Sequence, residues 1–284
     1  MGGCVEAGPE TLSVIMPASN EAAWIGRSLD ALLAQDAAAG AVEVIVSANA
    51  CRDGTETIAE GFAPRARARG WSLVCLSSPE PGKVGALNRA DAIARGAIRV
   101  YLDADVLCEP ALLGQIRAAL SRPEAAYATG TLVVAPARSR VTRLYAGLWV
   151  RLPFVRGGAV GAGFFAVNAA GRARWGAFPA IISDDTFVRL QFTPAERHEV
   201  PARYHWPMVE GWRNLVRVRR RQDAGVTEVY RLYPALKAND RKPRLGWGGL
   251  LGLAVRAPLG FLVYGLVSLQ VRLRRPAADW TRGR

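Results

Sequence analysis

The chain has 284 residues, half of them hydrophobic, and its 37 lysines and arginines against 24 aspartates and glutamates give a formal net charge of +13. Such a length and apolar fraction can bury a full core as one large domain or one domain with an appendage, which excludes a disordered or fibrous protein. The charge is uneven: residues 1–196 carry 19 basic and 18 acidic side chains and residues 197–284 carry 18 and 6, so only the last third suits a polyanionic surface such as anionic lipid or nucleic acid.

Residues 1–6 contain no apolar run, so no secretory signal is expected and the protein is expected on the cytosolic side. Residues 12–17 read as a first strand, 21–38 as a helix, 42–47 as a second strand and 53–69 as a helix. A third strand over 71–77, a helix over 83–96, a strand ending at Asp103 and a helix over 109–121 follow. This alternation predicts βαβ units around a parallel sheet. After 127–134 the rhythm changes to a glycine-rich run at 157–163, a strand-like 164–167, Ser183-Asp184-Asp185 opening a helical stretch, and a basic region.

The four cysteines, at 4, 51, 75 and 108, have no C-x-x-C spacing and none adjoins a histidine, which argues against a structural zinc or a disulfide framework. Cys75 reads as a small core residue.

The chemistry concentrates where strands end. Asp103-Ala104-Asp105 sets two carboxylates at the carboxyl end of the fourth strand, the edge that carries the ligand crevice in open α/β sheets. Paired carboxylates there suit a hard divalent cation bridging to a substrate's phosphates. The loops Pro17-Ala18-Ser19-Asn20-Glu21 and Asn49 to Thr55 end the first two strands on that edge, although Asn20 and Asp53 equally suit helix caps. Lys83, one of only three lysines against 34 arginines, is either a compact charge near a phosphate or a solvated first-turn residue.

Gly161-Ala162-Gly163 followed by Ala166 fits G-x-G-x-x-A, but no strand precedes it and no helix follows, so a dinucleotide-binding turn is set aside. Ser183-Asp184-Asp185 is a helix N-cap with first-turn acids, or the source of a carboxylate base for an acceptor hydroxyl. His205 is either a metal ligand or an ordinary, partly buried ring, and no spacing rule separates the two.

Taken in order, these motifs over residues 12–222 resemble glycosyltransferase family 2, the inverting nucleotide-sugar transferases of GT-A fold. The resemblance implies a GT-A, Rossmann-like, mostly parallel mixed sheet flanked by helices. It implies that Pro17, Ser19, Glu21 and Asn49 surround the nucleoside, and its motifs include Gly82-Lys83. Asp103 and Asp105 would hold the ribose and a Mn²⁺- or Mg²⁺-bound diphosphate, and Asp185 would be the base. Asn49 stands where the family usually has aspartate. Arg217 to Gln222 lacks the tryptophan of the processive Q-x-x-R-W signature, so transfer of a single sugar is expected. A sugar-1-phosphate nucleotidyltransferase and a non-catalytic adaptor on the same fold are the competing readings.

Residues 245–271 carry only one charge, Arg256, and exceed the ~20 residues that span a bilayer. Arg241, Lys242 and Arg244 precede them, and Arg272, Arg274 and Arg275 follow. Glycines, Arg256 and Pro258 weaken a simple spanning helix, so a re-entrant or interfacial pair broken at Pro258 is expected ahead of a true span or a buried helix. The expected organisation is a catalytic domain over 1–240, with a nucleotide-sugar half (about 10–130) and an acceptor half (about 131–240), and a membrane-associating segment over 241–284. The expected partners are a nucleotide-diphosphate sugar, a lipid-linked or glycan acceptor and the cytoplasmic face of the membrane, with no nucleic acid.

Overall fold

The structure, a computed structural model, describes residues 11–241 and 245–273. The readings of residues 1–6, Cys4, Lys242, Arg244, Arg274 and Arg275 lie outside them. In chain order the elements are β1 (Leu12–Ala18), α1 (Ile25–Leu33), β2 (Val42–Asn49), α2 (Thr55–Gly61), α3 (Ala63–Ala68), β3 (Ser72–Ser78), α4 (Lys83–Ile93), β4 (Ile98–Leu102), β5 (Leu107–Cys108) and α5 (Leu112–Leu120). Then come β6 (Tyr127–Val134), α6 (Arg140–Trp149), β7 (Phe164–Asn168), α7 (Ala169–Arg172), α8 (Asp184–Leu190), β8 (Arg197–Trp206), α9 (Trp212–Leu232), α10 (Trp247–Arg256) and α11 (Pro258–Leu273).

The chain divides into two compact units. The first runs up to Leu132 and adds Gly161–Ala180 and Ala195–Trp206; the second comprises Val133–Val160, Ile181–Pro194 and the chain from Pro207 onward. The expected boundary at 240 therefore falls inside the second unit.

The first unit holds a sheet of order β3-β2-β1-β4-β7-β6-β8-β5. Strands β3, β2, β1 and β4 are parallel, whereas β7 joins β4, β6 joins β7 and β8 joins β5 in antiparallel fashion. β1 and β2 are buried along their whole length, as their near-continuous apolar runs require when both faces are covered. Strand order reverses between β1 and β4, so the carboxyl ends of these two strands form the switch point where such sheets bind ligands.

Two departures from the sequence reading have local causes. The predicted helix over 53–69 is split into α2 and α3 around Phe62, with Pro64 in the first turn of α3, where its missing N–H is harmless. β8 was not expected; its inward Val200, Ala202 and Tyr204 alternate with exposed Glu199, Pro201 and Arg203, a half-buried strand inside a basic stretch.

Buried polar groups are tied together. Glu43 accepts from Ser13 Oγ (2.5 Å) and from the backbone N–H groups of Arg95 and Gly96. The Asp91 carboxylate is bound by Arg172 Nε (2.7 Å) and the Tyr101 hydroxyl (2.9 Å).

In the second unit α11 packs on α6 and α9. Arg219 donates to the hydroxyls of Tyr145 and Tyr264 (3.0 and 3.1 Å), whose rings stack at 5.1 Å, and Trp212 Nε1 donates to Gln270 Oε1 (2.6 Å). Among the described residues no single helix is long and apolar enough to cross a membrane; α10 and α11 form a pair bent by 118° at Ala257 and Pro258.

Candidate active site

At the switch point the backbone after β4 makes a tight turn, Val106 N donating to Asp103 O (3.1 Å). Ala104 and Val106 face the core and Asp103 and Asp105 are half-exposed, so the turn presents both carboxylates outward. Two contacts hold it from behind. Asp103 N donates to Gly163 O (2.9 Å), and the buried Ser28 Oγ donates to Val106 O (2.7 Å). Gly163 has φ +73°, and a Cβ there would lie 2.9 Å from both Trp206 Cδ1 and Val106 Cγ2. Glycine is thus demanded both by conformation and by space. Gly161-Ala162-Gly163 leads into β7, as expected once a dinucleotide-binding turn is set aside.

The loops after β1 and β2 are stitched to each other on the same edge. Thr55 Oγ1 accepts from Glu21 N (2.8 Å) and donates to Asp53, whose other oxygen accepts from Ala22 N (3.1 Å). Slight burial raises the Asp53 pKa, but the bonds from Thr55 and from the Ala22 and Thr55 N–H groups outweigh it, and the carboxyl titrates below its ordinary value. Asn20 Oδ1 accepts from Arg52 N (2.6 Å). Asn20 and Ala50 both adopt positive φ, +50° and +46°, so backbone strain gathers at this edge.

Pro17 is buried within β1 and pairs with Ser47, beyond the last β1–β4 pair at Ile15 and Tyr101, where a missing N–H costs no ladder bond to β4. Asn49, also buried, donates through Nδ2 to Ala18 O (2.8 Å) and accepts at Oδ1 from Gly82 N (3.1 Å), joining the end of β1 to the entry of α4. Ser19 and Glu21 are partly exposed on the same edge. Lys83, first residue of α4, places Nζ 2.9 Å from Asp103 Oδ1. The structure thus brings Ser19, Glu21, Asn49, Lys83, Asp103 and Asp105 to one edge of the first unit.

His205 pairs with Leu107 across β8 and β5, and its Nε2 faces Glu109 Oε1 at 3.6 Å. Among the described residues no three His, Cys, Asp or Glu side chains gather as a metal-ligand group. Asp103 and Asp105 still fit a hard divalent ion, because both offer carboxylate oxygens on a turn open to solvent and Asp103 already attracts a cationic group in Lys83.

The second unit carries the other predicted acids. Asp184 is buried and Asp185 half-exposed in the first turn of α8, where Asp185 Oδ1 accepts from Thr186 N (2.6 Å). A Cβ at Gly225 of α9 would lie 2.3 Å from Ser183 Oγ, so that glycine lets α9 press against the start of α8. Ile182 N donates to Glu228 Oε2 (2.9 Å), and Arg189 at the end of α8 pairs with Asp240 (2.7 Å).

Ser28 and Gly163 were not singled out for these roles in the sequence. The available signal for Ser28 is a hydroxyl on the buried face of α1 beside Leu29 and Leu32.

The model of the glycosyl transferase family 2 matches residues 13–168, more than half of the chain. The chain belongs to that family. The match takes in the β1 and β2 loops, Lys83, the Asp103 turn and Gly163; Asp185 and the basic third lie beyond it. The family 2 protein is similar in structure to the mannosyltransferase PcManGT from Pyrobaculum calidifontis in complex with GDP-Man and Mn²⁺, at 19% identity and a TM-score of 0.59 over 98% of this chain and 80% of that one. It is similar to S. aureus TarS 1-349 in complex with UDP-GlcNAc at 14% identity and a TM-score of 0.54, covering 93% and 92% of the two chains. In another S. aureus TarS structure it covers 37% of that chain, at 16% identity and a TM-score of 0.52 over 70% of this one. These likenesses show the fold, a GT-A-like mixed α/β sheet flanked by helices. The sequence matches no curated protein.

Proposed function

We propose that this family 2 transferase moves a single sugar, with inversion, from a nucleotide-diphosphate sugar to a lipid-linked or otherwise membrane-proximal acceptor at the cytoplasmic face of a membrane. The observation that carries the reading is the pair Asp103 and Asp105, turned outward at the β1/β4 switch point beside Lys83. Ser19 and Glu21 are the partly exposed side chains on the proposed nucleoside side of that edge, with the buried Asn49 amide bracing the end of β1 behind them, and family membership weighs against the nucleotidyltransferase reading.

Asp103 and Asp105 would hold Mn²⁺ or Mg²⁺, which when bound supplies charge neutralisation for the departing diphosphate. The PcManGT complex with GDP-Man and Mn²⁺ supports that choice. Lys83 adds a fixed positive charge for phosphate oxygens. Asp185 takes the proton from the acceptor hydroxyl as that oxygen attacks the anomeric carbon opposite the leaving group.

The test is a panel of UDP- and GDP-sugars read by thermal shift with and without Mn²⁺, followed by turnover and NMR of the product anomer. A metal-dependent shift with one donor class and an inverted product is expected. Retention of configuration, or donor binding indifferent to metal, would overturn the assignment.

A further inference from the structure

Two helices of the second unit turn apolar side chains away from the protein. On α10, Trp247, Leu251 and Val255 recur every four residues and are 89%, 67% and 72% exposed. On α11, Leu259, Leu262, Leu266, Leu269 and Leu273 form a stripe of the same helical kind, between 45% and 74% exposed. The buried residues of α11, Gly260, Val267 and Val271, occupy its opposite face. Apolar residues scattered singly need no explanation, but continuous stripes on consecutive helices mark a binding surface.

The inner face of α11 is already committed. A Cβ at Gly260 would lie 2.9 Å from Leu144 O, Gln270 is bonded to Trp212, and Tyr264 is bonded to Arg219 and stacked on Tyr145. At 1.5 Å per residue α10 is about 15 Å long and α11 about 24 Å, each short of a ~30 Å hydrocarbon core, and the two are bent by 118°.

We infer that the α10–α11 pair is a docking surface that lies in one leaflet of an anionic membrane without crossing it. Charge selects this occupant. Residues 241–284 carry nine basic side chains and one acidic. Arg256 is exposed at the bend, Arg272 near the end of α11 and Arg241 ahead of α10. Phosphate headgroups complement them, whereas a second copy of the chain would bring the same positive charges to the contact. Trp247, at the outer end of α10, suits the headgroup boundary. The inference deepens the membrane placement of the proposed function but does not depend on the transfer chemistry, since it rests on the exposed apolar stripes and the charge around them.

The experiment is co-sedimentation of the full-length protein with phosphatidylcholine vesicles, with and without phosphatidylglycerol, at low and high salt. Binding that needs the anionic lipid and weakens with salt is expected. The double variant Leu251→Asp/Leu262→Asp should bind at least about tenfold less, with unchanged circular dichroism and unchanged donor-induced thermal shift. Equal partitioning of variant and wild type would overturn the inference, as would a wild-type dimer in light scattering that the variant loses while neither form binds vesicles. Thr281→Cys, treated with a membrane-impermeant maleimide outside sealed vesicles and read by mass spectrometry, should be labelled. Its protection in the bound protein would show a crossing and refute the one-leaflet placement.

Discussion

The ammonium of Lys83 lies 2.9 Å from a carboxylate oxygen of Asp103, joining the first residue of α4 to the turn after β4. Both side chains are about a third exposed, so the pair adds at most about 1 kcal/mol to stability. Its larger effect is to fix a positive charge at the crevice. Lys83→Met should therefore leave the melting temperature within a few degrees of wild type and raise the donor KM about tenfold, a loss on the order of 1.4 kcal/mol. A collapse in stability with donor KM unchanged would make the lysine a structural tie only.

Asp105→Ala should abolish turnover and the metal-dependent part of nucleotide binding, because the ion loses one of its two carboxylate anchors. Isothermal titration of donor with and without Mn²⁺ checks this, and undiminished metal-dependent affinity would remove Asp105 from the site.

Asp185→Asn keeps the side-chain volume. On its proposed role as general base, the loss should cost on the order of 10²-fold or more in kcat with donor affinity nearly intact. Steady-state kinetics beside donor titration separates the two, and a variant that keeps turnover would send the search for the base elsewhere.

Gly163→Ala would place a methyl group 2.9 Å from Trp206 and Val106 at φ +73°. Gly157 has φ +69°, but a Cβ there meets nothing within 4 Å. Gly157→Ala should cost only the left-handed backbone penalty of about 1 kcal/mol, and Gly163→Ala about 2–3 kcal/mol because crowding adds to it. Urea denaturation measures both. Activity should fall further in Gly163→Ala, since Gly163 O holds the backbone of Asp103; equal costs for the two would show that the close approach relaxes freely.

Burial raises the pKa of Glu43, but the bonds from Ser13, Arg95 and Gly96 and the charge of Arg95 outweigh it, leaving the folded value below the ordinary carboxylate one. A lowered folded pKa contributes stability at pH above the unfolded value, about 4.5, and that contribution is lost as pH falls through the folded value. Glu43→Gln should be less stable than wild type at pH 7 by about 1–3 kcal/mol, and the gap should narrow below pH 4.5. Chemical denaturation at pH 7 and pH 3.5 checks this, and a gap that widens in acid would contradict the sign.

Much of the first unit was legible because its strands are apolar runs that stop at polar loops, so the switch-point residues could be placed from chain order alone. β8 was hidden because its solvent face carries charges around Pro201, which makes it resemble a loop in the basic region. The bonds of Asn49 to Ala18 and Gly82 could not be read, since both partners depend on how three strands align. Pro258 marked the break between α10 and α11. That one face of α11 would pack on α6 was not visible, because both faces are apolar.

The Asn49 amide bears on which residues its place can accept. Its nitrogen donates to one carbonyl while its oxygen accepts from one amide, a division of labour that a carboxylate cannot perform. An aspartate there would set an oxygen against Ala18 O, acceptor facing acceptor, in a buried place. An Asn49→Asp change therefore costs on the order of 1–3 kcal/mol for the unmet buried acceptor unless the carboxyl takes up a proton. The carbonyl of Ala18 and the amide of Gly82 thus fix which side chain suits this place from two sides at once.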